Sequence, residues 1–158
     1  MLRYILSNGA MAGLFTGGVL CLIILTMGHQ SMAVGMAIGY LTMLVGLSLV
    51  FVAIKRHRDV DRGGVIGFFP ALGLGLGISL VAALLYALCW ELALTRIGID
   101  AFLDSMGPSI DAATRRSYHN PLVRLPMTMG EILPVGLLVS LVSAGLLRNP
   151  RFLPARAA

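Results

Sequence analysis

The sequence predicts an all-α integral membrane protein, a four-helix bundle with one or two short amphipathic helices in the loop between its third and fourth spans. Three observations carry that prediction. Of the 158 residues, 58% are hydrophobic and only 12% charged, whereas soluble chains average about 25% charge; a water-facing shell cannot be built from so few polar side chains. The run from Tyr4 to Ile54 contains no Asp, Glu, Lys or Arg. As one helix it would reach roughly 76 Å at ~1.5 Å per residue, far more than a hydrocarbon core of about 30 Å, so it must fold back. Finally, the basic residues gather at the ends of apolar segments, as topology control requires.

The first span is predicted over residues 6–27 and the second over 32–54, with Gly28-His29-Gln30-Ser31 as the turn because it is the only polar cluster in the run. A cleaved signal peptide is the competing reading of the first segment, since Ser31-Met32-Ala33 loosely resembles a cleavage site. The segment is longer than the roughly 7–15 apolar residues of a signal core, which favours a span. Lys55 to Arg62 then forms a charged break, followed by a second charge-free run from Gly63 to Trp90. Proline is tolerated in a first helical turn and costs about 3 kcal/mol deeper, so Pro70 sets the third span at residues 69–94, with Tyr86 and Trp90 as interfacial anchors.

Between residues 95 and 127 the chain is polar. Ile99, Phe102, Leu103, Met106 and Ile110 recur at helical spacing, Gly107-Pro108 interrupts them, and Asn120-Pro121 and Pro126 close the segment. This predicts the amphipathic helices, with Asp111 and Arg115 paired four residues apart. The fourth span is predicted over 128–147. Residues 1–147 thus form a single four-span domain, and 148–158 a tail expected to be disordered.

Four spans place Arg3, Lys55, Arg56, Arg58, Arg62, Arg148, Arg151 and Arg156 on one side. Arg96, Arg115, Arg116 and Arg124 fall on the other, offset by Glu91, Asp100, Asp104 and Asp111. Because Lys and Arg are retained in the cytoplasm, both termini are expected there. The net charge of +5 therefore reflects topology, and nucleic acid is excluded as a partner. The lipid bilayer is the expected partner. A second copy or another membrane protein could dock on small-residue stripes, which are Gly9, Gly13 and Gly17; Gly35 and Gly39; Gly73 and Gly77; and Gly136, Ser140 and Ala144.

Candidate chemistry is sparse. Cys21 and Cys89 stand alone, without metal-ligand spacing, and read as packing thiols; no metal or cofactor is expected. His29, His57 and His119 fall on different loops, and no catalytic motif occurs. Glu131 is the one acid within a predicted span, and intramembrane acids are often functional. With the span starting at Thr128, however, Glu131 lies only about 4–5 Å deep at ~1.5 Å per residue. The preferred expectation is that it reaches headgroup water near a helix N-terminus. The Lys55–Arg62 break reads as a topological anchor that also suits anionic headgroups.

Phe51-Val52-Ala53-Ile54-Lys55-Arg56-His57-Arg58-Asp59, Gly63-Gly64-Val65-Ile66-Gly67-Phe68, Tyr118-His119-Asn120-Pro121 and Glu131-Ile132-Leu133-Pro134-Val135-Gly136 together resemble the signature of a bacterial membrane family catalogued as domain of unknown function 4199. Tyr86 and Trp90 match an aromatic pair late in that family's third helix. Where the family usually has an aromatic residue before the Glu, this chain has Met129-Gly130. The resemblance implies a four-helix architecture and a candidate set of Lys55, Arg58, Asp59, Gly63, Gly64, Trp90, Glu131 and Pro134. It implies no activity. The leading expectation is a non-enzymatic structural or accessory subunit, followed by a small transporter or channel component with Glu131 on the pathway. A membrane enzyme would have to rest on His119 and Asp111 in the outer loop.

Overall fold

A computed structural model of the chain describes residues 1–26, 32–105, 107 and 111–154. Among them lie six α-helices: α1 (Leu2–Thr26), α2 (Met32–Arg56), α3 (Phe68–Ile97), α4 (Ile99–Ser105), α5 (Ala112–His119) and α6 (Pro121–Leu147). A π-helical turn, His57–Asp61, continues α2. The helices α1, α2, α3 and α6 are long and apolar enough to cross a membrane, and the all-α four-helix bundle is as predicted. The Gly28–Ser31 turn, Met106, Pro108 and Ile110 lie outside the described residues.

Around the bundle α1 neighbours α3, α3 neighbours α6, α6 neighbours α2, and α2 returns to α1. Small residues bring these backbones together. A Cβ added at Gly9 would lie 2.7 Å from Val81 Cβ, one at Gly13 2.7 Å from Ala82 O, and one at Gly17 2.7 Å from Cys89 Cβ. Both numbers rise together, so α1 and α3 run parallel along the whole predicted stripe. The α3–α6 contact is antiparallel and similarly tight. A Cβ at Gly75 would meet Ser140 Oγ at 2.7 Å, and one at Gly136 would meet Ser79 Cβ at 2.6 Å. Ser79 and Ser140 turn their hydroxyls back onto Gly75 O (3.0 Å) and Gly136 O (2.7 Å), so the seam buries no unsatisfied hydroxyl.

Two predicted stripes are corrected. In α2 the contact glycine is Gly46, where a Cβ would meet Thr16 Cγ2 at 2.5 Å, while Gly39 faces nothing within 4 Å; the Gly35 contact lies outside the described side chains. In α3 Gly77 packs on Ile5 and Gly73 faces open space, so Gly75 is the residue turned to α6. Glycine spacing alone does not say which helix face meets a neighbour.

The ends of the elements also differ from the prediction. Helix continues through Lys55–Asp61, where a loop is expected, because the charges are satisfied locally by pairs one and four residues apart. The start of α6 lies at Pro121, well before Thr128. Asn120 caps it, its side chain accepting from Leu122 N at 3.0 Å, and Pro121 occupies the first position, where its missing N–H is harmless. Asn120-Pro121 is thus a helix start, and Pro126 lies inside the helix. The predicted Asp111–Arg115 pair is replaced by two better contacts. Asp111 caps α5 by accepting from Thr114 N at 2.8 Å, and Arg115 reaches Asp104 at 2.7 Å.

Candidate functional site

Lys55, Arg58, Asp59, Gly63 and Gly64 assemble at the end of the bundle that holds both chain termini. Arg58 is fully buried. Its Nε donates to Asp59 Oδ1 at 2.7 Å, and its Nη1 donates to Leu147 O at 3.4 Å and Phe152 O at 2.9 Å. A further bond runs from Nη2 to Leu153 O. The guanidinium therefore caps the C-terminus of α6, where free carbonyls favour a cation, and holds the chain that follows. Residues 149–154, expected to be disordered, are docked in this way; 155–158 lie outside the described residues. Asp59 also accepts from Lys55 Nζ at 2.5 Å. Gly63 and Gly64 have φ of +62° and +88°, a left-handed pair that side chains resist, and the turn closes with Gly64 N donating to Arg58 O at 2.9 Å. Beside it His57 Nδ1 lies 2.8 Å from Asp61 Oδ2, with the Tyr4 ring against the imidazole at 5.3 Å. Lys55, Arg58 and Asp59 are thus matched to one another or to backbone carbonyls, and the cluster is a clamp.

Trp90 and Glu131 sit toward the opposite end, near each other but remote from the clamp. Here the helix start assumed for the depth of Glu131 is corrected. Because α6 begins at Pro121, Glu131 lies about 15 Å along its axis at ~1.5 Å per residue. The helix is about 40 Å long by the same rise, against a hydrocarbon core of about 30 Å.

The carboxylate of Glu131 lines two adjoining cavities. The larger, about 400 Å³, is enclosed by α1, α3 and α6 beneath a roof of α4 and α5, and is lined in part by Tyr86, Trp90, Phe102, Tyr118 and Arg124. The smaller, about 270 Å³, shares Leu20, Tyr86 and Glu131 with it and extends to Met36, Gly39, Tyr40 and Met43 of α2. Tyr86 Oη donates to Glu131 Oε2 at 3.3 Å. Among the described residues Glu131 has no basic partner within ion-pair distance.

Tyr86 does not face outward as an interfacial anchor is expected to. Tyr86 is 4% exposed and points into the bundle, and Trp90 packs edge-on against Phe102 with ring centroids 5.0 Å apart. Phe102 in turn meets Tyr118 at 6.1 Å. Pro134, one turn beyond Glu131, is on the exposed face of α6; it removes an N–H that would otherwise reach Gly130 O.

Sequence reasoning missed Arg124. It is buried and grips Glu91 with two nitrogens, Nε donating to Oε1 at 2.7 Å and Nη2 to Oε2, while Nη1 donates to Tyr118 O. One side chain thus ties α6 to α3 and to the end of α5, fixing the roof. The available signal was the surplus of charge flanking Tyr118–Pro121, but a pair 33 residues apart leaves no local spacing to read. His119 and Asp111 are not brought together; His119 Nε2 faces Asp100 Oδ1 at 3.3 Å.

Chemically, the larger cavity offers one carboxylate, one phenol hydroxyl beside it and a cluster of aromatic rings. Among the described residues no three His, Cys, Asp or Glu side chains converge as metal ligands would. No curated protein and no solved structure matches the chain. The family model described as "Protein of unknown function (DUF4199)" matches residues 8–149, nearly the whole bundle from α1 to the end of α6, and the chain belongs to that family.

Proposed function

We propose that this membrane protein binds a small solute at Glu131 and acts as a small transporter or channel component. The observation that carries this reading is the Glu131 carboxylate without a basic partner among the described residues, set well inside α6 and facing two cavities. An acid in lipid is costly unless something compensates it. The buried charges Arg58 and Arg124 are compensated within the chain; Glu131, exposed at the cavity wall, has only the Tyr86 hydroxyl. A cavity of about 400 Å³ also falls within the ~300–1,000 Å³ of small-molecule sites. The placement of eight basic residues at the end with both termini, against four offset by acids at the other, supports a cytoplasmic location for the termini in a bacterial inner membrane.

The test is flux. In liposomes under an imposed potential, the wild-type chain is expected to pass protons or solute at a rate that Glu131→Gln lowers at least tenfold. Equal rates, with both proteins eluting as the same folded species, would remove Glu131 from any pathway. A second reading, a non-enzymatic accessory subunit, is favoured by Gly18, Gly73 and Gly145, which face nothing within 4 Å inside the chain and leave room for a partner helix. Recovery from mild detergent as a lone monomer would count against it.

A further inference from the structure

We infer that the ligand of the Glu131 cavity is an organic cation with an apolar body, admitted sideways from the lipid; this deepens the proposed function and rests on it.

Charge comes first. The cavity is bordered by one cation, Arg124, and by Glu131. The guanidinium is matched by both oxygens of Glu91 and by Tyr118 O, so its charge is already balanced within the chain. With that pair closed, the cavity's outstanding formal charge is the Glu131 carboxylate. A cation is the complement.

The walls narrow the class. Tyr86, Trp90, Phe102 and Tyr118 are four of the ten lining residues in a chain that is 7% aromatic, and three of them are locked to one another ring against ring. Aromatic faces carry negative potential and attract cations, most of all where water is excluded. Leu20, Ile23 and Met127 supply further apolar surface. Hard metal cations prefer six or more oxygen ligands. One carboxylate with the Tyr86 phenol bonded to it suits an ammonium-type centre on an apolar frame much better.

The route follows from the smaller cavity. Met36 and Tyr40 line it and are 54% and 52% exposed, and Glu131 is exposed too. The space around Glu131 therefore reaches the lipid-facing surface of the bundle. An apolar cation that partitions into the bilayer meets this opening directly.

The chain contains a single tryptophan, Trp90, so its fluorescence reports occupancy of the cavity. Tetraphenylphosphonium should change the emission of the protein in lipid nanodiscs saturably. Tetraphenylborate, its near-isosteric anion, should not. Glu131→Gln should weaken the cation's apparent affinity at least tenfold, and Tyr118→Leu severalfold. Saturation by both ions, or by the anion alone, would overturn the assignment of ligand class while leaving a binding cavity in place. No saturable response to either ion, together with unchanged flux in Glu131→Gln, would overturn the cavity itself as a site.

Discussion

The two ends of the bundle solve the same problem, a buried arginine, and then diverge. At the end with both termini, Arg58 is held by Asp59 and by carbonyls of Leu147, Phe152 and Leu153. At the other, Arg124 is held by Glu91 and by a carbonyl of Tyr118. Each arginine fastens one end of α6 to its surroundings. The first end then closes, with its acids Asp59 and Asp61 paired to Lys55, Arg58 and His57. The second leaves Glu131 over, facing open volume. The comparison teaches that a charge matched by its neighbours marks structure, and one left facing open volume marks a candidate site.

The most damaging way to probe this comparison is to remove an arginine. Arg58→Leu leaves Asp59 with Lys55 alone and frees three carbonyls, and should destabilise the protein by about 3 kcal/mol, the lower end of the cost of breaking a buried pair from one side; denaturant titration in detergent measures it. The parallel change Arg124→Leu should be restored in large part by adding Glu91→Leu, since removing both partners of a buried pair is often nearly neutral. If the double variant is no better than the single, the pair is not the roof's fastening.

Next in size is the seam between α1 and α3. Gly13→Val places new atoms against Ala82 O, where even a Cβ would sit at 2.7 Å, and should cost about 1–3 kcal/mol as an overpacked contact. Gly73→Ala, with nothing within 4 Å, should leave monomer stability unchanged. Similar losses from both would mean that the glycine spacing, and not the observed contact, governs stability. Smaller again, Gly64→Ala must hold φ near +88° and should cost about 1–2 kcal/mol, separating the clamp's turn from its charges.

The smallest effect belongs to the roof. Hydrogen bonds from Thr114, from its side chain and its backbone N–H, hold the Asp111 carboxyl below the usual carboxylate range. A lowered folded value means that the cap's contribution is present above the ordinary pKa of Asp and disappears as pH falls through the folded one. Amide exchange at Thr114 should quicken over that acidic interval and stay flat above it. Exchange that does not respond to acid would show that α5 is held by something other than this cap.

The fold was legible because span number depends on local composition. Charge-free runs longer than one bilayer crossing, interrupted at Lys55–Arg62 and at residues 95–127, permit little besides four helices. The stripe Gly9, Gly13, Gly17 and the group Gly136, Ser140, Ala144 were legible for a similar reason, being repeated at the period of one helix face. The site was less so. Its reading turned on whether Asn120-Pro121 ends a loop or starts a helix. The two choices move Glu131 from the interface to well inside α6. Arg124 with Glu91 and Tyr86 with Glu131 are contacts between distant segments, which local periodicity does not encode. The clamp residues were selected through a family resemblance, and only the geometry separates their structural role from the cavity at the other end.

The central claim, an unpaired carboxylate open to lipid-accessible space at one end and closed charge pairs elsewhere, is tested most directly by carboxyl modification. Treated in nanodiscs with dicyclohexylcarbodiimide, an apolar reagent that attacks acids from within lipid, the protein should gain one adduct. Peptide mapping should place it on Glu131 and leave Asp59 and Glu91 untouched. A protein that takes up no adduct at Glu131, or takes it up equally at Glu91, would contradict the account.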